Sequence, residues 1–405
     1  MIRFISLLPL IGSLLACGST STVLPPSELV KMENKLAIKP LWQRDVGYGA
    51  SDKFLHFTPV IEGQVGYSID HQGLVVAWRM SDGQLLWQQH FHTSAASAIT
   101  LDKHHLYFGT SRGEVFALNK QNGKQVWKQQ LTSEIISPPV SYAGYVIVRS
   151  VDGRIHSLKA STGSKEWAHD RTMPVLSLRG TSTPVVTSGI VISGADNGKL
   201  TALAVENGNV LWETTIAVPR GRNEIERLID IDAQPVVKDD VVYTVAYQGR
   251  LAAVKIDSGR ILWVRDISSY AGMVIDSNKI YISDTEGQLW ALDRFNGATI
   301  WKQDKLLRRS LSRPAFQGRY LIVGDFNGYL HWMSRENGQL LARTQLGYSI
   351  FNEIEDDEGI DEYVEDDRLF SKTRHILATP VVKGDVAVAM TRTGLLSAYR
   401  VSETE

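Results

Sequence analysis

The chain has 405 residues, of which 43% are apolar and 33 are glycine, and its formal net charge is −1. A single cysteine excludes any disulfide within the chain. Length alone would predict two or three ordinary domains, but an internal repeat can extend one all-β fold without a second core.

The N-terminus reads Arg3, then an apolar run from Phe4 that ends in Leu14-Leu15-Ala16-Cys17. A short basic start followed by such a stretch predicts a signal peptide over 1–16, too short to span a bilayer as a mature helix. The residues before Cys17 resemble a bacterial lipobox. That resemblance implies cleavage before Cys17 and lipid modification of its sulfur, which would consume the lone thiol. Gly18, not Asp, follows, and by resemblance to the sorting rule of Gram-negative lipoproteins this implies the outer membrane. Residues 18–39 carry Ser, Thr and two prolines without strand alternation. They predict a flexible tether over 17–40, reaching at most ~75 Å if extended.

Leu41-Trp42-Gln43-Arg44-Asp45 then reads as a strand with a Trp and no hairpin before it. Beyond it one phrase recurs seven times with constant spacing: Ala77/Gly83/Trp87, Ala117/Gly123/Trp127, Ser157/Gly163/Trp167, Ala202/Gly208/Trp212, Ala253/Gly259/Trp263, Ala291/Gly297/Trp301 and Trp332/Gly338/Ala342. Each phrase starts in an alternating strand, turns at a Gly preceded by a turn former such as Asp82 or Asn122, and ends in a second strand. A further pair of strands precedes each hairpin, often opened by a proline, as at Thr58-Pro59-Val60 and Arg313-Pro314-Ala315. Two copies lack that proline, at Ser97-Ala98-Ile99 and Met273-Val274-Ile275.

A Gly-led third strand occurs eight times, at Gly73, Gly113, Gly153, Gly198, Gly249, Gly287, Gly328 and Gly394, and the last copy reaches the chain end before a fourth strand can follow. The expected fold is therefore all-β, an eight-bladed propeller over 41–402 with four-stranded antiparallel blades. The N-terminal strand would close the ring by pairing with the C-terminal blade, which removes the open seam. The recurrent Trp is expected to fill the wedge between blades, with its N–H near a backbone acceptor.

Three connectors from a fourth strand to the next blade are long: 171–181, 219–231 and 347–377. They share one face of the ring, where propeller loops usually carry function. The third lies within an insertion over 345–377 that includes Glu353, Glu355, Asp356, Asp357, Glu358, Asp361, Glu362, Glu365, Asp366 and Asp367, with no Lys or Arg from 353 to 367. Without these ten carboxylates 34 acids face 43 bases, a net of +9. The body is basic and the insertion, read as a solvated loop, is acidic. It lacks the spacing of a dedicated calcium loop.

The first connector contains Val175-Leu176-Ser177-Leu178-Arg179-Gly180 and the second Arg227-Leu228-Ile229-Asp230-Ile231-Asp232. With the lipobox and the eight Trp-type blades, these loops resemble the BamB family, the lipoproteins of the outer-membrane β-barrel assembly machinery. That resemblance implies a non-catalytic scaffold, lipid-anchored at Cys17 in the outer membrane with its propeller in the periplasm. It implies binding to the POTRA domains of the barrel-forming subunit, with nascent outer-membrane proteins as further partners. It assigns partner contact to Leu176, Leu178, Arg179, Asp230 and Asp232. The acidic insertion departs from the family pattern and receives no role.

Two alternatives belong to other classes. Pyrroloquinoline-quinone dehydrogenases share the Trp-bearing blades, but typically carry a vicinal cysteine pair and a calcium, and this chain has no second cysteine. An adaptor or ligand-sensing propeller would share fold and anchor without needing the two loops. His90/His92 and His104/His105 lack the spacing and third ligand of a zinc site. No phosphate loop, nucleophile elbow or Cys–His arrangement occurs, so no catalytic residue, cofactor, metal or nucleic-acid partner is expected.

Overall fold

A computed structural model describes residues 24–403 except 52, 171–181, 196, 219–221, 223–228 and 348–373. The signal peptide, Cys17, the first loop with Leu176, Leu178 and Arg179, and the ten carboxylates of the acidic insertion lie outside the described residues.

Among the described residues the strands form eight antiparallel four-stranded sheets. Seven are continuous in sequence, spanning residues 60–90, 100–130, 140–169, 185–215, 236–265, 273–303 and 315–345. The eighth joins the chain ends: the N-terminal strand Leu36–Asp45 pairs with the C-terminal strand Leu395–Glu403, beside Val386–Met390 and Val381–Lys383. First strands of neighbouring blades touch at six of the eight junctions, including that of blades eight and one. The two copies without a proline still open on first strands, Thr100–Leu101 and Met273–Ile275.

The second and third strands of each blade are buried on both faces, because a neighbouring blade covers each side. Apolar clusters therefore fill the spaces between blades, and the fourth strands form the exposed rim. This explains runs such as Leu74-Val75-Val76-Ala77-Trp78, where strict alternation breaks down.

The repeated phrase has one geometry. Its small residue pairs directly with the Trp of the next strand, as in Ala77 with Trp87, Ala202 with Trp212 and Ala291 with Trp301. Each Trp ring then lies on the hairpin glycine of the following blade. In six blades the indole N–H also donates to a carbonyl there, from Trp42 to Met80 O (2.9 Å) through Trp301 to Arg335 O (3.1 Å). The wedge role expected of the Trp is what these contacts describe.

The eighth blade repeats this pairing across the two chain ends, since Trp42 stands opposite Ala398 and its ring covers Gly83 of blade one. Gly83 has φ +67°, and a Cβ there would sit 2.6 Å from that ring. Blade seven inverts the pair, with Trp332 on the third strand opposite Ala342. The inversion has a cause: blade eight has no hairpin between its third and fourth strands, so there is no glycine for an outer Trp to cover. Trp332 instead donates to Gln317 Oε1 at 2.6 Å and shares a cluster with Leu36, Leu346 and Tyr399.

The N-terminal strand starts at Leu36, so the boundary expected at residue 41 falls inside it. The segment before it is also bound to the ring. Ser27 donates its N–H to Leu307 O, Asn34 exchanges two hydrogen bonds with the Arg343 backbone, and Lys35 N donates to Leu341 O. Arg308 and Arg309 donate to the carbonyls of Pro25 and Ser27. Residues 25–35 thus follow blades six and seven as a strap, so the tether expected over 17–40 does not extend through them. The sequence could not signal this, because scattered backbone groups and the isolated side chains of Ser27 and Asn34 make the bonds and leave no side-chain period.

Candidate functional site

In a four-stranded antiparallel blade the turn between strands two and three lies at the same end as the link to the next blade. All connectors therefore emerge on one face, around the mouth of the central channel. Val60, Thr100, Pro138, Thr183, Gln234, Ala271, Arg313 and Thr379, one from each blade, surround a depression there of about 370 Å3.

The two connectors singled out in the sequence are joined at their roots. Ser182, the first described residue after the Leu176–Arg179 loop, donates its hydroxyl to Ala233 O at 3.4 Å, and its own carbonyl accepts from Ser137 Oγ at 3.1 Å. Blades three, four and five are thus linked through Ser137, Ser182 and Ala233. Ile229 and Ile231 enter the apolar cluster between blades four and five, which fixes the end of the second connector.

The two aspartates separate in environment. Asp230 is 0% exposed, and its carbonyl accepts from Tyr247 N at 2.7 Å in an isolated bridge. Its carboxylate does not face solvent. Alternation separates both aspartates from Ile229 and Ile231, which enter the inter-blade cluster, and the bridge to Tyr247 then distinguishes Asp230 from Asp232. Asp232 is partly buried and lines the channel mouth.

Sequence reasoning missed a second group at the mouth. Phe54, His56, Tyr270, Arg313 and His375 come from four different connectors and converge on an adjoining depression of about 260 Å3. They follow no repeat and share no spacing, so only the closed ring brings them together. Burial lowers the Arg313 guanidinium from its ordinary value. His375 is pushed down to about 4, first by burial and then by the charge of Arg392. Behind it Asp325 accepts from Arg309 Nε at 2.7 Å and His331 Nε2 at 3.0 Å. Burial opposes ionisation of Asp325, but His331 and Arg309 hold its carboxyl below the usual range.

The histidine groupings read as structural in the sequence occupy turns and strand ends. The rings of His90 and His92 lie 4.0 Å apart, tilted by 44°, and His90 Nε2 meets Gln72 O, while the amides of His104 and His105 both donate to Asp102. Among the described residues no three His, Cys, Asp or Glu side chains are grouped to hold a metal.

Comparison with known proteins gives a consistent family. The family model described as outer membrane protein assembly factor BamB matches residues 71–303. An outer membrane protein assembly factor BamB of Yersinia pestis is 34% identical over 393 residues, which cover 94% of this chain and 94% of that relative. The crystal structure of BamB from Moraxella catarrhalis superposes with a TM-score of 0.76 at 22% identity, over 90% of this chain and 100% of that one. A quinohemoprotein alcohol dehydrogenase from Comamonas testosteroni also superposes, with a TM-score of 0.68 at 12% identity, over 90% of this chain and 76% of that one. At those identities the two structures share the fold, which by itself does not separate a scaffold from an enzyme.

Proposed function

The chain belongs to the BamB family of outer membrane protein assembly factors, and from that premise we propose that it is a non-catalytic scaffold of the outer-membrane β-barrel assembly machinery. It binds the POTRA domains of the barrel-forming subunit and supports the folding and insertion of outer-membrane proteins. Cys17 carries the lipid anchor, and the propeller stands in the periplasm.

The observation that carries this reading is the common root of two loop segments on a rigid ring. The residues that flank them, Ser182 and Ala233, are hydrogen-bonded to one another. Loops fixed at their bases on adjacent blades suit recognition of a folded partner. Leu176 and Leu178 supply apolar contact and Arg179 a charge-assisted hydrogen bond, the mixture expected of an interface hot spot. Asp232 contributes from the channel mouth, and Asp230 fixes the end of the second connector through its bridge to Tyr247. No reaction is assigned, since a chain with one cysteine cannot form the vicinal pair typical of quinoprotein dehydrogenases.

The test is a detergent pull-down from envelopes with the native lipoprotein and with Arg179→Asp. Recovery of the barrel-forming subunit with the native form alone supports both scaffold and loop. Equal recovery moves the contact elsewhere on the ring. Recovery of a different envelope complex by both forms replaces the scaffold with an adaptor.

A further inference from the structure

The smaller depression at the channel mouth is lined by side chains whose polar groups are incompletely matched. It opens between the connectors that lead into blades one, six, seven and eight. Arg313 donates Nε to Met273 O at 2.7 Å and Nη1 to Gln234 Oε1 at 3.1 Å, and both acceptors are neutral. Among the described residues no carboxylate offsets its charge. Asp325 is engaged by Arg309 and His331, and Asp232 lines the wider depression together with Arg313.

Opposite, Nε2 of His375 is buried without a hydrogen-bond partner. A buried polar atom left in this way is uncommon in a folded protein and marks a place for a ligand or water. The connector that carries Arg313 also holds Arg308 and Ser310 at φ 58° and 45°, a left-handed backbone that non-glycine residues adopt mainly where the surroundings impose it. The apolar side of the depression is formed by Leu311, Leu377 and two aromatic rings at its rim. Phe54 is 79% exposed and Tyr270 41% exposed.

We propose that this depression binds a small organic carboxylate, whose oxygens accept from Arg313 and whose apolar part lies against Phe54 and Tyr270. One unpaired guanidinium matches one monoanion, and its planar donor pair fits a carboxylate. The apolar walls favour an organic anion over an inorganic one, which would leave them in contact with water. The volume suits a molecule of amino-acid size.

The test uses the full lipidated chain in detergent micelles, with 3-phenylpropionate as probe and 3-phenylpropanamide as its neutral match, followed by calorimetry and saturation-transfer NMR. The native protein is expected to bind the carboxylate about tenfold more tightly than the amide, the size of one charge-assisted hydrogen bond. Arg313→Gln should abolish that preference, a readout that a general loss of folded protein cannot imitate. Phe54→Ala should weaken both probes while thermal unfolding stays unchanged, because its ring is exposed. Equal binding of the two probes, or no binding of either, overturns the proposal. If Arg313→Gln does not fold, an unaltered carboxylate affinity in Phe54→Ala overturns it equally.

Discussion

Replacing Trp42 by Ala tests ring closure most directly. The indole covers Gly83 of blade one, donates to Met80 O at 2.9 Å and meets Trp78 edge-on at 5.2 Å. Truncating a core Trp costs ~3–5 kcal/mol, and the partial burial of Trp42 places it near the lower end, about 3 kcal/mol. Of this, about 1 kcal/mol belongs to the hydrogen bond and about 1 kcal/mol to the aromatic pair. Trp42→Phe retains most of the contact area and loses the N–H, so it should cost about 1 kcal/mol. Urea unfolding measures both as shifts in midpoint with an unchanged slope. Hydrogen exchange should in addition quicken in 36–45 and 395–403 of Trp42→Ala, because these strands meet only at the seam. A loss below about 0.5 kcal/mol, the scale of an ordinary surface substitution, would refute the view that this Trp closes the ring.

Other outcomes follow from the site. Arg179→Asp and Leu176→Asp should each abolish recovery of the barrel-forming subunit while leaving the melting temperature unchanged; a fall in melting temperature in both would make these core residues. Asp230→Ala should lower stability by about 1–3 kcal/mol, whereas Asp232→Ala should have a smaller effect on urea unfolding, because Asp230 alone is fully enclosed. His375 predicts acid sensitivity with a defined sign. Its folded value near 4 lies below the ordinary 6.5, so the unfolded chain binds a proton that the folded chain refuses. Stability is therefore lost as pH falls from 6.5 towards 4, by up to about 3 kcal/mol, and His375→Leu should flatten that window. Asp325, held below 3.8, contributes stability that is lost only at lower pH, as its carboxylate protonates. Urea unfolding across pH separates the two.

Local periodicity made the ring legible. The spacing from Ala77 through Gly83 to Trp87 encodes a hairpin, a close inter-blade contact and the wedge in one phrase, and its repetition fixes the blade order. The orphan strand at Trp42 likewise shows how the ends meet, because Ala398 lacks a partner in its own part of the chain. These features depend on neighbours in sequence or on one repeated contact, so their signal survives in the residue pattern.

Tertiary structure alone decided what lies between the repeats. The strap over 25–35 is held by scattered backbone groups, by the isolated side chains of Ser27 and Asn34 and by Arg308 and Arg309 of the ring, which follow no period. The inversion at Trp332 and Ala342 acquires its reason only when blade eight is seen to lack an outer hairpin. Asp230 is enclosed at its bridge to Tyr247 while Asp232, two residues on, lines the channel mouth, a difference set by where the connector enters the ring. Phe54, Arg313 and His375 are separated by hundreds of residues in part, and they share a depression only because a closed ring brings its first and last connectors side by side.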